Sequence, residues 1–203
     1  MWIDPPDSDA VLVLGHGAGS GMRSPFMAGF AEAIGKLRIA TLRFDFPYMR
    51  AGRRAPDRAP VLVEAWREAF AAGVERASGR RVFAGGRSMG GRIASIAAAE
   101  GMPAAGLVFL GYPLHPPGRP DKIRDAHLDA IAVPMLFLQG TRDTFARPEL
   151  LAAVLARLRP RAELVSIEGG SHAFRVPGGP SDPAVIAAQL AEPAAAFIRR
   201  VAG

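Results

Sequence analysis

The sequence has no cysteine among its 203 residues. Disulfides, thiolate nucleophiles and cysteine-ligated metal centres are therefore excluded. Lysine is almost missing too: of 25 basic residues only Lys36 and Lys122 are lysines, so the formal charge of +6 is an arginine charge. Abundant Arg and Ala beside scarce Lys is the composition a GC-rich genome produces. The densest basic stretch, Arg50, Arg53, Arg54 and Arg58, is interrupted by Gly and Pro. It lacks the interleaved aromatics on which bases stack, so no nucleic-acid partner is expected, while acidic small molecules stay open as partners. No apolar run approaches the ~18 residues that a bilayer span needs. The opening Met1-Trp2-Ile3-Asp4-Pro5-Pro6 has neither a basic start nor an apolar stretch, which argues against a signal peptide. No membrane association is expected, and a cytoplasmic location fits these absences.

What is present is ordinary globular material, 49% hydrophobic and 22% charged, enough for one well-buried core. Short apolar runs alternate with helix-length segments. The strand candidates are Ala10–Leu14, Arg38–Phe44, Arg81–Ala84, Leu107–Leu110, Pro134–Leu138 and Ala162–Ile167. Several are apolar throughout, as strands covered on both faces are. Helical patterns run over Phe26–Leu37, Val61–Ala77, Met89–Glu100, Pro148–Leu158 and Pro183–Val201. The alternation predicts an α/β fold: a minimal, mostly parallel sheet of about six strands with helices on both faces. No repeat or linker divides the chain, so one domain over residues 1–203 is expected. In such a sheet, ligands bind beyond the carboxyl ends of the strands, and the chemistry should follow each apolar run.

It does. After the third strand comes Gly86-Arg87-Ser88-Met89-Gly90, a G-x-S-x-G pattern between strand and helix. Small flanking residues let the backbone turn tightly and lift a serine Oγ above the sheet, with helix N–H groups aimed at the same place. A serine needs a base, and the base an orienting acid. Of the four histidines, His172 lies directly after the sixth strand, and Asp143 lies directly after the fifth. Ser88, Asp143 and His172 then follow the chain order such sites use. The bland alternatives are that Asp143 caps a helix and His172 is a loop residue. Coincidence of three positions at one sheet edge favours catalysis. His16-Gly17-Ala18-Gly19, after the first strand, stands where one backbone donor of an oxyanion hole belongs, so the N–H groups of Ala18 and Met89 are assigned as the pair. His16 itself is read as a brace for that loop.

Six ordered motifs carry a resemblance: Leu14-Gly15-His16-Gly17-Ala18-Gly19, Arg43-Phe44-Asp45-Phe46-Pro47-Tyr48, Gly85–Arg92, Gly111-Tyr112-Pro113-Leu114-His115-Pro116-Pro117, Gln139–Asp143 and Gly170–Phe174. Together, over nearly the whole chain, they resemble the small bacterial predicted-hydrolase branch of the α/β-hydrolases. That branch is related to dienelactone-hydrolase-like proteins and to testis-expressed and chromatin-complex proteins of animals. The resemblance implies the fold and the roles of Ser88, Asp143 and His172. It implies no substrate, since some animal relatives look like scaffolds. Dienelactone hydrolases proper use a cysteine, which this chain cannot supply. The usual first hairpin strands would need more sequence before Ala10, hence the expected six.

No long insertion separates the fourth and fifth strands; residues 111–133 offer a Pro-rich loop and a short helix around Asp121–Ile131. The site should be lidless and open, suited to small acyl groups. Arg87, Tyr112 and His115 are the candidate substrate contacts. Arg142 and the loop of Arg50, Arg53 and Arg54 are further candidate anion clamps, unless these arginines are merely solvated or paired with Asp45 and Asp57. No metal and no cofactor are called for. Two functions follow: a serine hydrolase of small carboxylic esters or thioesters, with a small-molecule ester as its partner, or a binding or scaffold domain that retains the fold without turnover.

Overall fold

The computed structural model describes residues 1–203. Seven strands form one sheet: β1 (Trp2–Ile3), β2 (Ala10–Gly15), β3 (Ile39–Phe44), β4 (Arg81–Arg87), β5 (Leu107–Leu110), β6 (Met135–Gly140) and β7 (Ala162–Ile167). Their spatial order is β1-β3-β2-β4-β5-β6-β7. All pairings are parallel except β1 with β3, where Trp2 faces Leu42 and Ile3 faces Thr41. The two-residue β1 adds one strand to the six expected. Its residues are too few for a hydrophobic period, so only pairing with β3 reveals it.

Helices cover both faces. On one lie α1 (Pro25–Lys36), α6 (Pro183–Ala188) and α7 (Ala191–Ala202), and on the other α3 (Ala59–Arg76), α4 (Met89–Ala99) and α5 (Pro148–Leu158). Strand β2 shows why its apolar run is continuous. Val11 and Val13 enter the core under α3 and α4, while Ala10, Leu12 and Leu14 enter the core under α1 and α7. Edge strand β7 is instead largely exposed, and Glu163 pairs there with Arg200 at 2.7 Å, a charge that discourages further strand pairing.

The long C-terminal helix expected over Pro183–Val201 is two helices. Pro193 has no N–H and its ring would strike the carbonyl four residues back, so it is accommodated only in the first turn of a new helix starting at Ala191. A one-turn helix, α2 (Pro47–Arg50), was not visible as a pattern. Between β5 and β6 the chain makes only loops and a 3₁₀ turn at Ala126–Ala130, with no lid. No helix is long and apolar enough to cross a membrane.

Because β3 and β4 lie on opposite sides of β2, the chain reverses its direction of winding there. The carboxyl ends of β2 and β4 therefore border the crevice where sheets of this kind place their ligands.

Candidate active site

Ser88 occupies the turn between β4 and α4 with φ 47° and ψ −116°, a left-handed conformation that a residue with a Cβ seldom adopts. Two neighbouring glycines make the turn feasible. A Cβ on either Gly86 or Gly90 would collide with the Gly15 carbonyl oxygen of β2. The Ser88 N–H donates to Leu110 O of β5 at 3.1 Å, which anchors the turn from the other side. The seryl Oγ is thus held at the mouth of the crevice by backbone packing.

From Ser88 a continuous hydrogen-bonded chain runs inward. Ser88 Oγ lies 2.8 Å from His172 Nε2, and His172 Nδ1 lies 2.7 Å from Asp143 Oδ2. The Asp143 side chain is completely buried, and that of His172 is one-fifth exposed. Asp143 is further held by Phe145 N–H, which donates to Oδ1 at 2.7 Å, and by Gln139 Nε2, which donates to Oδ2 at 2.5 Å. A buried carboxylate with this many donors is held in one orientation. The Phe145 ring covers His172, with centroids 4.2 Å apart.

The opposite wall is the loop after β2. Ala18 N–H donates to no protein acceptor, and Met89, as the first residue of α4, has no intrahelical acceptor for its own N–H. Both residues line the same cavity as Ser88. The loop is braced by His16, as expected. Its Nδ1–H donates to Gly17 O at 2.8 Å, and its Nε2 accepts from Phe46 N–H at 3.2 Å. That pair of bonds requires the neutral ring, and burial pushes the His16 pKa below the ordinary histidine value. Tyr48 Oη accepts from Gly19 N–H at 3.2 Å and ties the same loop to α2.

The candidate substrate contacts are placed differently. Tyr112 is fully buried, its N–H donating to Gln139 Oε1 at 2.8 Å and its Oη facing Arg124 O at 3.2 Å. His115 is also buried. Its Nδ1 donates to Pro116 O at 2.9 Å, and its Nε2 accepts from Arg147 N–H at 3.1 Å. This is the bracing pattern of His16, repeated under the loop that carries Asp143. Arg87 lays its guanidinium over the Phe26 ring, 4.4 Å from the centroid, on the face away from the cavity. None of the three lines the cavity: Tyr112 and His115 are buried braces, and Arg87 packs on Phe26. Arg53 pairs with Asp57 at 2.7 Å, which leaves it occupied.

The cavity beside Ser88 has a volume of about 270 Å³. Its walls include Asp57, Leu62, Arg92, Arg124 and Phe145. Arg92, Arg124, Gln139 and Phe145 were missed as functional candidates. The spacing Ser88 to Arg92, one helical turn, was the available signal for the first. Arg124 and Gln139 reach the site only through tertiary packing.

A family model described as an alpha/beta hydrolase domain matches residues 8–199. The fold is similar to that of an alpha-beta serine hydrolase homologue from Coxiella burnetii, with a TM-score of 0.74, 19% identity, and coverage of 98% of this chain and 89% of that one. It is similar to a dienelactone hydrolase from Anabaena variabilis, with a TM-score of 0.69, 25% identity, and coverage of 94% and 88%. An α/β serine hydrolase without a lid from Xanthomonas campestris matches with a TM-score of 0.69, 18% identity, and coverage of 98% and 85%.

Proposed function

We propose that this chain, which belongs to the α/β-hydrolase family, is a serine hydrolase that cleaves small carboxylic esters or thioesters through an acyl-enzyme. The observation that carries this reading is the unbroken line Ser88 Oγ, His172 Nε2 and Nδ1, Asp143 Oδ2, with spacings of 2.8 Å and 2.7 Å. His172 takes the Ser88 hydroxyl proton while Oγ bonds to the acyl carbon, and the carbonyl π pair moves onto oxygen. The free N–H groups of Ala18 and Met89 receive that oxyanion; losing one such donor typically costs about 2.7–4 kcal/mol of transition-state stabilisation. As the carbonyl reforms, the bond to the leaving alkoxide or thiolate breaks, and His172 returns the proton to it. Water then repeats the sequence on the acyl-serine, again with His172 as base. Asp143 keeps the Nδ1–H tautomer and stabilises the imidazolium that forms.

The test is labelling with a fluorophosphonate probe. The wild-type protein should be labelled at Ser88 and should hydrolyse p-nitrophenyl acetate. A folded Ser88→Ala variant should do neither. Labelling that survives in that variant would move the nucleophile elsewhere. Absence of both in the wild type would leave a binding domain on a hydrolase fold.

A further inference from the structure

The ion pairs of this protein lie mostly on its surface, such as Arg38 with Asp9, Arg80 with Asp4, Arg157 with Asp125 and Asp129, and Arg200 with Glu163. The two arginines that line the Ser88 cavity are not among the paired ones. Arg92 and Arg124 both line it, and neither guanidinium makes an ion pair or a hydrogen bond with any protein group. Arg92 is partly stripped of water, and burial lowers its pKa from the ordinary arginine value. The charged or titratable neighbours acting on it are the Tyr112 hydroxyl and Arg124, with no carboxylate among them. A half-buried guanidinium next to a second one and without a counter-ion is unfavourable on its own, and an anion relieves it.

The backbone is fixed at both residues, while the Arg124 side chain is exposed and that of Arg92 half-buried. Arg92 stands one helical turn after Ser88 on α4, its N–H donating to Ser88 O at 3.1 Å and its carbonyl accepting from Ser95 Oγ at 2.7 Å. Arg124 is fixed on both sides of its backbone. Its N–H donates to Leu114 O at 2.8 Å, and its carbonyl accepts from Tyr112 Oη at 3.2 Å. The adjacent Asp125 is turned away to Arg157, 2.8 Å distant, and does not neutralise it. The one carboxylate on the cavity wall is Asp57, whose Oδ1 is taken by Arg53 at 2.7 Å and whose Oδ2 is buried without a partner. The wall therefore carries an excess of positive charge beside the nucleophile.

We infer that this cavity selects esters whose acyl part ends in a second carboxylate, with Arg92 and Arg124 as the residues that hold it. The inference rests on the serine-hydrolase reading and names its substrate class. Arginine grips a carboxylate through two parallel N–H donors, which fixes orientation as well as charge. Ser88, Arg92 and Arg124 share a cavity of about 270 Å³, which admits a short acyl chain, so monoesters of short dicarboxylic acids are the class that fits it.

The test compares kcat/KM for monoethyl succinate and ethyl butyrate, which share an acyl skeleton and differ in the terminal charge. At low salt the succinate ester should lead by about tenfold or more, and the lead should shrink as salt shortens the Debye length. The ratio should collapse towards unity in Arg92→Met and Arg124→Met, and Arg92→Lys should keep part of it. A wild-type ratio at or below unity, or a ratio unchanged in both Met variants, overturns the inference while leaving the hydrolase intact. If neither ester is cleaved and the fluorophosphonate fails to label, the hydrolase reading has failed. The anion site is then decided by calorimetry on the Ser88→Ala protein. Binding of monomethyl succinate that is lost in Ser88→Ala/Arg92→Met supports it, and no binding at millimolar ligand overturns it.

Discussion

Gln139 Nε2 donates to Asp143 Oδ2 at 2.5 Å, the same carboxylate oxygen that faces His172 Nδ1. The other end of Gln139 accepts the Tyr112 N–H, so the residue locks the acid loop to the end of β5. Replacing it by Leu removes a charge-assisted donor from Asp143 and leaves a buried amide unpaired. A bond of that kind is worth about 1.5–3 kcal/mol. Gln139→Leu should lower kcat roughly tenfold to a hundredfold with little change in KM, and Asp143→Asn should lower it by about 10⁴-fold. Steady-state kinetics on both variants check this; a near-normal kcat in Asp143→Asn would remove Asp143 from the role of the orienting acid.

The backbone of Ser88 is strained, with φ at 47°. Removing the side chain should therefore have opposite effects on stability and activity. Ser88→Gly should unfold later than Ser88→Ala by about 1 kcal/mol, because glycine enters the left-handed region without a Cβ clash. Neither variant should hydrolyse esters. Chemical denaturation of the two proteins measures the difference, and an equal or lower stability of the glycine variant would show that the turn carries no strain.

Two histidines make the fold sensitive to acid. Burial lowers the pKa of His16 and of His127, and the charge of Arg92 lowers that of His127 further. Unfolded histidines titrate near ~6.5. Between that value and the lower folded ones, the unfolded chain binds more protons than the folded chain. The stability these residues contribute is thus complete above about pH 6.5 and is lost as pH falls towards the folded values. Tm should fall steadily between about pH 7 and about pH 5. In His127→Gln the slope should be smaller, and an identical slope would exclude His127 as a source.

The open cavity sets a limit on acyl length. Each buried methylene contributes about 0.8 kcal/mol only where walls exist to cover it. With about 270 Å³ available and no lid between β5 and β6, efficiency on uncharged esters should peak between acetyl and butyryl. A series of p-nitrophenyl esters at constant pH tests this. A preference for octanoyl would require a covering element that this fold does not have.

Local pattern alone determined much of this protein. The six long strands lie within a few residues of their apolar runs, because a strand covered on both faces must be apolar throughout. Ser88, Asp143 and His172 were legible for a related reason. Each follows a strand directly, and parallel strands bring all their carboxyl ends to one edge, so sequence position translates into spatial neighbourhood. Only the tertiary structure decided what surrounds them. Tyr112 and His115 also follow a strand, yet packing turns both inward as braces, while Arg87 is drawn onto Phe26. Arg92 and Arg124 come from a helix face and an irregular loop, 32 residues apart in sequence, and meet only because α4 and the β5–β6 connection close on one cavity. A strand end can be read from periodicity, which is local. The direction of a side chain, and whether a counter-ion reaches it, depends on contacts between distant segments, and no period in the chain encodes those.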